Sequence, residues 1–142
     1  MKLAILALAT LVFGASTALR AQQPDGQDPI GANLFPPELV MQHQQEIGLT
    51  DEQRSYIVGE IQQAQKRATD LQWQLQREVE SMTELVRQNT VDETRTIAQL
   101  DRVLAAEREI KRLQLTLVVR IKNRLTPDQR ARLTALRGAA HE

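Results

Sequence analysis

The sequence predicts an all-α protein whose body is a long antiparallel helical hairpin, flanked by two short helices. Three observations lead to this fold. Apolar residues recur in steps of three and four along two long stretches, motifs that cap helix N-termini open the helical segments, and the break between the stretches is short. Helices of near-equal length joined by a tight turn fold back on each other, so the hairpin is antiparallel.

Residues 1–21 have the pattern of a secretory signal peptide. Lys2 is followed by an apolar run over residues 3–13 and then by small residues. About eleven apolar residues are too few for a permanent membrane span, so no stable membrane insertion is expected. Cleavage after Ala18 or after Ala21 would leave an exported protein.

The charged residues are unevenly distributed along the chain. Residues 22–101 hold 14 acidic and 6 basic side chains, whereas residues 102–137 hold 3 acidic and 10 basic ones. This asymmetry favours antiparallel self-association or capture of acidic partners, and an ordinary solvated face is the alternative. Export, overall neutrality and few aromatic residues argue against nucleic-acid binding. The chain has no cysteine, so packing must stabilise it without disulfides.

A leader and a short helix are predicted before residue 49. Residues 22–33 contain two Pro and two Gly among few apolar residues, which is typical of a flexible leader. Pro36 and Pro37 then introduce a helix over about residues 37–47, which Gly48 ends as a C-cap. The inward face of this helix carries Leu39, Val40, His43 and Ile47.

Three capping boxes predict where the following helices begin. The pattern Leu-Thr-x-x-Gln occurs at residues 49–53 and 125–129, and residues 90–93 repeat its chemistry as Thr-Val-Asp-Glu. In each box the Thr hydroxyl accepts from the backbone N–H three residues on, and the Gln or Glu side chain reaches back. The predicted capping residues are Leu49, Thr50, Gln53, Thr90, Glu93, Leu125, Thr126 and Gln129.

These starts predict long helices over residues 51–88 and 91–124, joined by about two residues. A last helix begins at Pro127 and stops at Gly138, before a frayed tail over residues 138–142. The first long helix carries an apolar stripe of Ile57, Ile61, Ala64, Ala68, Leu71, Leu75, Val79, Met82 and Leu85. The second carries Ile97, Leu100, Val103, Leu104, Ala106, Ile110, Leu113, Leu117 and Ile121.

The stripes also predict where the core is thickest. Residues 113–119 are apolar on more than one face, so both short helices are expected to pack at that end of the hairpin. A lone hairpin covers each stripe from one side only, so the remaining apolar area needs another helix, a second subunit or a client. Trp73 points away from the first stripe. It would be an interface anchor or would pack under a short helix of its own chain.

The residues do not identify an enzyme or a cofactor. The chain has two His, no Gly-rich phosphate loop, and no nucleophile, base and orienting-group set. His43 precedes Glu46 by three residues, and Glu60 could approach after the turn at Gly48. Such a set would hold a divalent transition metal weakly, because tight sites use three or four ligands. The alternative is a half-buried His43 with an ordinary hydrogen-bond partner.

The export signal and the hairpin bracketed by two Leu-Thr-x-x-Gln motifs resemble the LTxxQ family of periplasmic proteins over residues 34–137. The family includes the Spy and CpxP envelope-stress proteins and, more distantly, zinc-resistance-associated and heavy-metal-sensor proteins. The resemblance implies a curved, cradle-like antiparallel homodimer in the periplasm. It also implies a chaperone that holds unfolded or partly folded exported proteins without ATP.

Two other functions remain open: a heavy-metal sensor or resistance protein, and a stress-signalling adaptor of a membrane partner. The metal-sensing branch would use a His, a Glu, and a His or Met on the second long helix. His43 and Glu60 match the first two, but residues 91–124 contain neither His nor Met. For the chaperone function, the candidate client-binding residues are Arg102, Arg108, Lys111, Arg112, Arg120 and Trp73.

Overall fold

The computed structural model describes residues 30–139, which are all-helical as predicted, with no strand among them. The four helices are α1 (Pro37–Gln42), α2 (Asp51–Val86), α3 (Glu93–Arg124) and α4 (Pro127–Ala139). α2 and α3 pack against each other as the hairpin. The signal peptide, the first part of the predicted leader and residues 140–142 lie outside the described residues.

The two Leu-Thr-x-x-Gln motifs start α2 and α4 as predicted. The Thr50 hydroxyl accepts from the Gln53 N–H (3.2 Å), and the Thr50 N–H donates to Gln53 Oε1 (3.0 Å). The same pair of bonds joins Thr126 and Gln129 at 3.2 and 2.9 Å. Each box satisfies backbone donors that the first helical turn leaves without a partner.

The third predicted capping box, at Thr90 and Glu93, is wrong. The N-cap of α3 is Asp92, whose Oδ1 accepts from the backbone N–H of Arg95 at 3.0 Å. Asp caps a helix at least as well as Thr, and here it lies two residues nearer the apolar stripe. α3 therefore begins at Glu93, and because α2 ends at Val86, the connection is residues 87–92 rather than about two residues.

The first short helix ends earlier than predicted, at Gln42, and residues 43–48 form a turn. Gly48 closes this turn with a φ of 65°, in the left-handed region that glycine adopts without steric cost. The N–H of Leu49 then donates to the carbonyl of Gln44 at 2.8 Å. Gly48 thus redirects the chain into α2.

The last four residues of the predicted flexible leader are held against the helices. Gly31–Asn33 form a 3₁₀ turn. Arg137 donates to the carbonyl oxygens of Gly31 (3.2 Å), Ala32 (3.1 Å) and Leu34. Its guanidinium also lies 5.2 Å from the centre of the Phe35 ring. These contacts fasten the start of the described chain to α4.

The core lies at the predicted end of the hairpin, where α1 and α4 join it. Its buried residues are Phe35, Val40, Ile47, Leu49, Ile57, Ile121, Leu125 and Leu133. However, Leu115 and Val119 are 50% and 38% exposed, so only part of the apolar 113–119 segment contributes to this core. Beyond the core, the buried residues of the described hairpin are Leu71, Ala106 and, at its capped start, Gln53, with Gln99 near the turn.

The predicted α3 stripe is wrong toward the turn. Ile97, Leu100 and Leu104 are 52%, 38% and 49% exposed. The inward position is taken by Gln99, which is 5% exposed, and the inward face continues at intervals of seven, seven and eight residues through Ala106 and Leu113 to Ile121. α3 therefore carries a second apolar stripe on its outer side.

Candidate functional site

The two Leu-Thr-x-x-Gln motifs meet through their glutamine side chains, which the sequence did not predict. Gln53 Nε2 donates to Gln129 Oε1, and Gln129 Nε2 donates to Gln53 Oε1, both at 2.9 Å. Gln53 also donates to the Arg124 carbonyl (2.8 Å), and Gln129 to the Gly48 carbonyl (3.2 Å). Both amides are fully engaged within the fold, so the motif joins two helix starts and leaves no group for a ligand.

One side of the hairpin forms a groove lined by arginines. We call it the arginine groove, and its residues are Ala64, Arg67 and Leu71 on α2 with Arg112, Leu113, Thr116 and Arg120 on α3. It contains two adjoining cavities of about 260 and 240 Å³. The floor is aliphatic and the rim is basic, because α2 and α3 each present arginine beside the seam between them.

Charge pairing in the groove is uneven. Arg120 Nη1 donates to Glu60 Oε2 at 2.8 Å, and this hydrogen bond and ion pair raise the pKa of Arg120 above its usual range. Arg112 lies 3.9 Å from Glu109, a long contact between exposed side chains. Arg67 has no hydrogen bond or ion pair within residues 30–139. Arg67 is therefore the cation of the groove that the fold does not neutralise.

The same side of α3 remains basic toward the turn. Arg95 and Arg102 border a further cavity of about 220 Å³ with Leu85 and Gln99. Positions 95, 102, 109 and 116 are seven residues apart, which places Arg95 and Arg102 on the groove side of α3. Three of the five predicted basic capture residues, namely Arg102, Arg112 and Arg120, thus lie along one side of the hairpin.

The other two, Arg108 and Lys111, lie apart from the groove. They border a separate cavity with Leu75 and Leu104. Helical spacing places them within the exposed apolar residues of the outer side of α3. We call this set the outer stripe: Ile97, Leu100, Leu104, Arg108, Lys111, Leu115, Val119 and Lys122.

Comparison with known proteins gives the chain a family. A family model described as heavy-metal resistance matches residues 3–132. The chain belongs to this heavy-metal-resistance family. This assignment agrees with the resemblance to the LTxxQ proteins. No curated protein and no solved structure matches the chain.

In this member of the heavy-metal-resistance family, the candidate metal ligands separate into two pairs. His43 Nδ1 lies 2.9 Å from Glu46 Oε2, whereas Glu60 is bound by Arg120. The His43 side chain is 18% exposed, which matches the alternative of a half-buried histidine with an ordinary partner. Within residues 30–139, no three His, Asp or Glu side chains come together as metal ligands.

Trp73 is 59% exposed, so no short helix of the described chain covers it. Between residues 30 and 139, no helix is both long and apolar enough to cross a membrane.

Proposed function

We propose that this member of the heavy-metal-resistance family is a periplasmic chaperone that holds non-native exported proteins without ATP. The observation that carries the proposal is the arginine groove, where basic side chains border an aliphatic floor. Arg67, Arg112 and Arg120 surround Leu71 and Leu113. A collapsed, unfolded chain presents both acidic and apolar groups, and this surface offers a counterpart to each.

The basic rim and the aliphatic floor of the groove act over different distances. Charges attract an acidic chain from several ångströms away and raise the rate of encounter. Aliphatic side chains stabilise the complex only once the two surfaces touch, and a shallow floor buries little apolar area. Such a surface captures quickly and holds weakly, so a client can leave or fold without an energy source.

We also propose that two copies pair antiparallel through the outer stripe. Its positions recur in steps of 3, 4, 4, 3, 4, 4 and 3 residues, a pattern that reads the same in both directions. A two-fold axis through its centre places Leu104 against Leu115 of the partner subunit, and Leu100 against the partner's Val119. The same axis places Arg108 opposite Lys111 of the partner subunit, and Glu107, which borders the same cavity as Arg108 and Lys111 in each copy, offsets part of this positive charge. The arginine groove stays uncovered in this arrangement.

Suppression of aggregation tests the chaperone proposal. A chemically unfolded client is diluted into buffer with the mature chain, without nucleotide, with chelator or added zinc, at low and high salt. We expect suppression that survives chelator. It should weaken with salt, because the screening length falls from about 30 Å at 0.01 M to about 3 Å at 1 M. No suppression in any of these conditions would overturn the proposal.

A pair of double variants tests the groove itself. The first double variant, Arg102→Gln with Arg112→Gln, removes two positive charges from the groove side of α3. The second, Lys66→Gln with Arg77→Gln, removes two positive charges from α2 outside the groove. We expect the first pair to lose most of the low-salt suppression and the second to retain it. Equal losses would mean that total charge, and not the groove, captures clients.

Light scattering tests the dimer. Leu104→Lys adds a third cation to a stripe that already carries Arg108 and Lys111 at its centre, and should give a monomer because like charges repel and an unpaired ammonium is costly to bury. Trp73→Lys is the comparison on α2 and should leave the dimer intact. A dimer that survives Leu104→Lys and dissociates with Trp73→Lys would move the interface to Trp73.

Metal binding is the second candidate function, and the heavy-metal-resistance family match favours it. Among the candidate metal ligands, His43 and Glu46 lie closest together, with 2.9 Å between His43 Nδ1 and Glu46 Oε2. Calorimetry with zinc, nickel and copper, on the mature chain and on His43→Ala, tests whether metal binding is the main function in place of client binding. A Kd below about 1 µM that is lost in His43→Ala would place metal sensing or resistance first.

A further inference from the structure

Thr116 differs from four of the other five threonines of α2, α3 and α4, and the fifth, Thr94, lies in the first turn of α3. The hydroxyls of Thr69, Thr83, Thr96 and Thr134 each donate to the carbonyl four residues back, at 2.7–3.1 Å. Thr116 makes no such bond among the described residues, and it borders both cavities of the arginine groove. Its hydroxyl is therefore available to donate to a group that enters the groove.

The arginines around Thr116 leave a positive charge in the groove. Arg67 has no partner in residues 30–139, while Glu60 engages Arg120 at 2.8 Å. Residues 112, 116 and 120 follow one another at four-residue intervals, about 6 Å apart along α3. Two carboxylates, Glu60 and Glu109, accompany three arginines in the groove, and Glu109 also lies 3.9 Å from Arg108, so at least one positive charge of the groove remains uncompensated.

The floor beneath these donors is aliphatic. Ala64, Leu113 and Leu117 line one cavity, and Leu71 and Leu113 line the other. The volumes of about 260 and 240 Å³ suit a short chain rather than a large ring system. A fully hydrated inorganic anion would leave this floor unused.

We propose that the arginine groove binds amphipathic anions, with a carboxylate or phosphate head on a short apolar chain. The head lies between Arg67 and Thr116, with Arg112 beside them, because arginine and hydroxyl donors match an oxyanion. The chain lies on Leu71 and Leu113. This site shares the groove with the proposed client surface but does not depend on chaperone activity.

An NMR titration of the mature protein, without any client, tests the site. The probes are hexanoate and hexyl phosphate, with hexanol, hexylammonium and inorganic phosphate as comparisons. We expect both hexyl anions to shift the amides near residues 64–71 and 112–120, and the comparisons to bind at least about fivefold more weakly, since charge-assisted bonds and the apolar floor act together. The tighter of the two anions identifies the preferred head group. Equal binding of hexanol, or of inorganic phosphate, would overturn the proposal.

Variants locate the site. Arg67→Gln and Thr116→Val should each weaken binding of the tighter anion, by about fivefold for the arginine and less for the threonine. Lys66→Gln, a loss of the same charge at the adjacent position outside the groove, should change it less than about twofold. If Lys66→Gln and Arg67→Gln weaken binding equally, the anion responds to overall charge and the site is not the groove.

Discussion

The two ends of the α2–α3 hairpin are stabilised by different means. At the end that joins α1 and α4, apolar side chains from every helix form one core, with Ile57, Ile121 and Leu133 fully buried. The paired amides of Gln53 and Gln129 close that core. At the turn end, the described side chain that is buried between the helices is Gln99.

Gln99 replaces apolar packing with hydrogen bonds. Its Nε2 donates to both the backbone carbonyl and the carboxylate of Glu78, each at 2.8 Å. Around it, Val86, Val91 and Ile97 are 44–52% exposed. This end therefore buries little area while its apolar residues face outward.

The difference in burial predicts that the two ends of the hairpin differ in local stability. Regions with few buried apolar contacts open at a lower free energy than the global unfolding. The core end therefore holds α2 and α3 together, and the turn end should open more readily. We expect hydrogen exchange to be fastest near the turn for the same reason.

The largest expected effect comes from shortening a leucine at each end. Leu133→Ala creates a cavity in a fully buried site and should cost about 3 kcal/mol or more. Leu85→Ala makes the same change beside Gln99, where the side chain is half-buried, and should cost about 1 kcal/mol. Denaturant unfolding at a fixed protein concentration measures both.

Equal costs for the two leucine variants would contradict the comparison between the ends. If the dimer forms and covers the turn end, the cost of Leu85→Ala should increase with protein concentration. A cost that does not vary with concentration would place this leucine outside any subunit interface.

Substitutions at two of the three buried glutamines of the described chain give smaller effects, of opposite sign. Gln129→Ala removes the partner of Gln53 and leaves the Gly48 carbonyl and Thr126 N–H without their side-chain bonds, at a cost of about 2 kcal/mol. Gln99→Leu places an apolar side chain at a position that faces α2. The Glu78 carbonyl keeps its own helical acceptor role, so this change should be neutral or stabilising.

Unfolding curves and hydrogen exchange measure these glutamine variants together. Gln99→Leu should slow exchange near the turn, because apolar packing replaces a solvent-accessible hydrogen-bonded contact. Faster exchange in Gln99→Leu than in the natural chain would show that the Gln99 bonds, rather than missing packing, determine how firmly the turn end is closed.

Local chemistry in the sequence predicted much of this fold. The capping boxes at Thr50 and Thr126 place two helix starts correctly, since a cap depends on residues only three apart. The meeting of Gln53 with Gln129 depends on how four helices pack, and residues 76 positions apart carry no local signal of it. The same limit applies to the groove, because periodicity does not show which neighbour faces Arg67.

The α3 stripe shows a second limit of sequence interpretation. Apolar residues occur on two sides of α3, and the prediction joined Ile97, Leu100 and Leu104 from one side to Ile121 from the other. Gln99 on the inward side is polar, so hydrophobic patterning could not select it. Gln99 faces inward because its side chain donates a hydrogen bond to the Glu78 carbonyl on α2.

The smallest expected effect concerns the start of α3 at the turn end, where a cap replaces the core as the local source of order. Asp92 Oδ1 accepts from the Arg95 N–H, so Asp92→Ala leaves that donor to water and removes a negative charge from the helix N-terminus. The cost should be about 1 kcal/mol. Thr90→Ala, two residues earlier, should change stability by only about 0.5 kcal/mol or less, because Thr90 lies in the turn outside α3. Denaturant unfolding of both variants, with circular dichroism as the probe, measures the difference. The reverse order of effects would return the cap to Thr90 and lengthen α3 by two residues toward the turn.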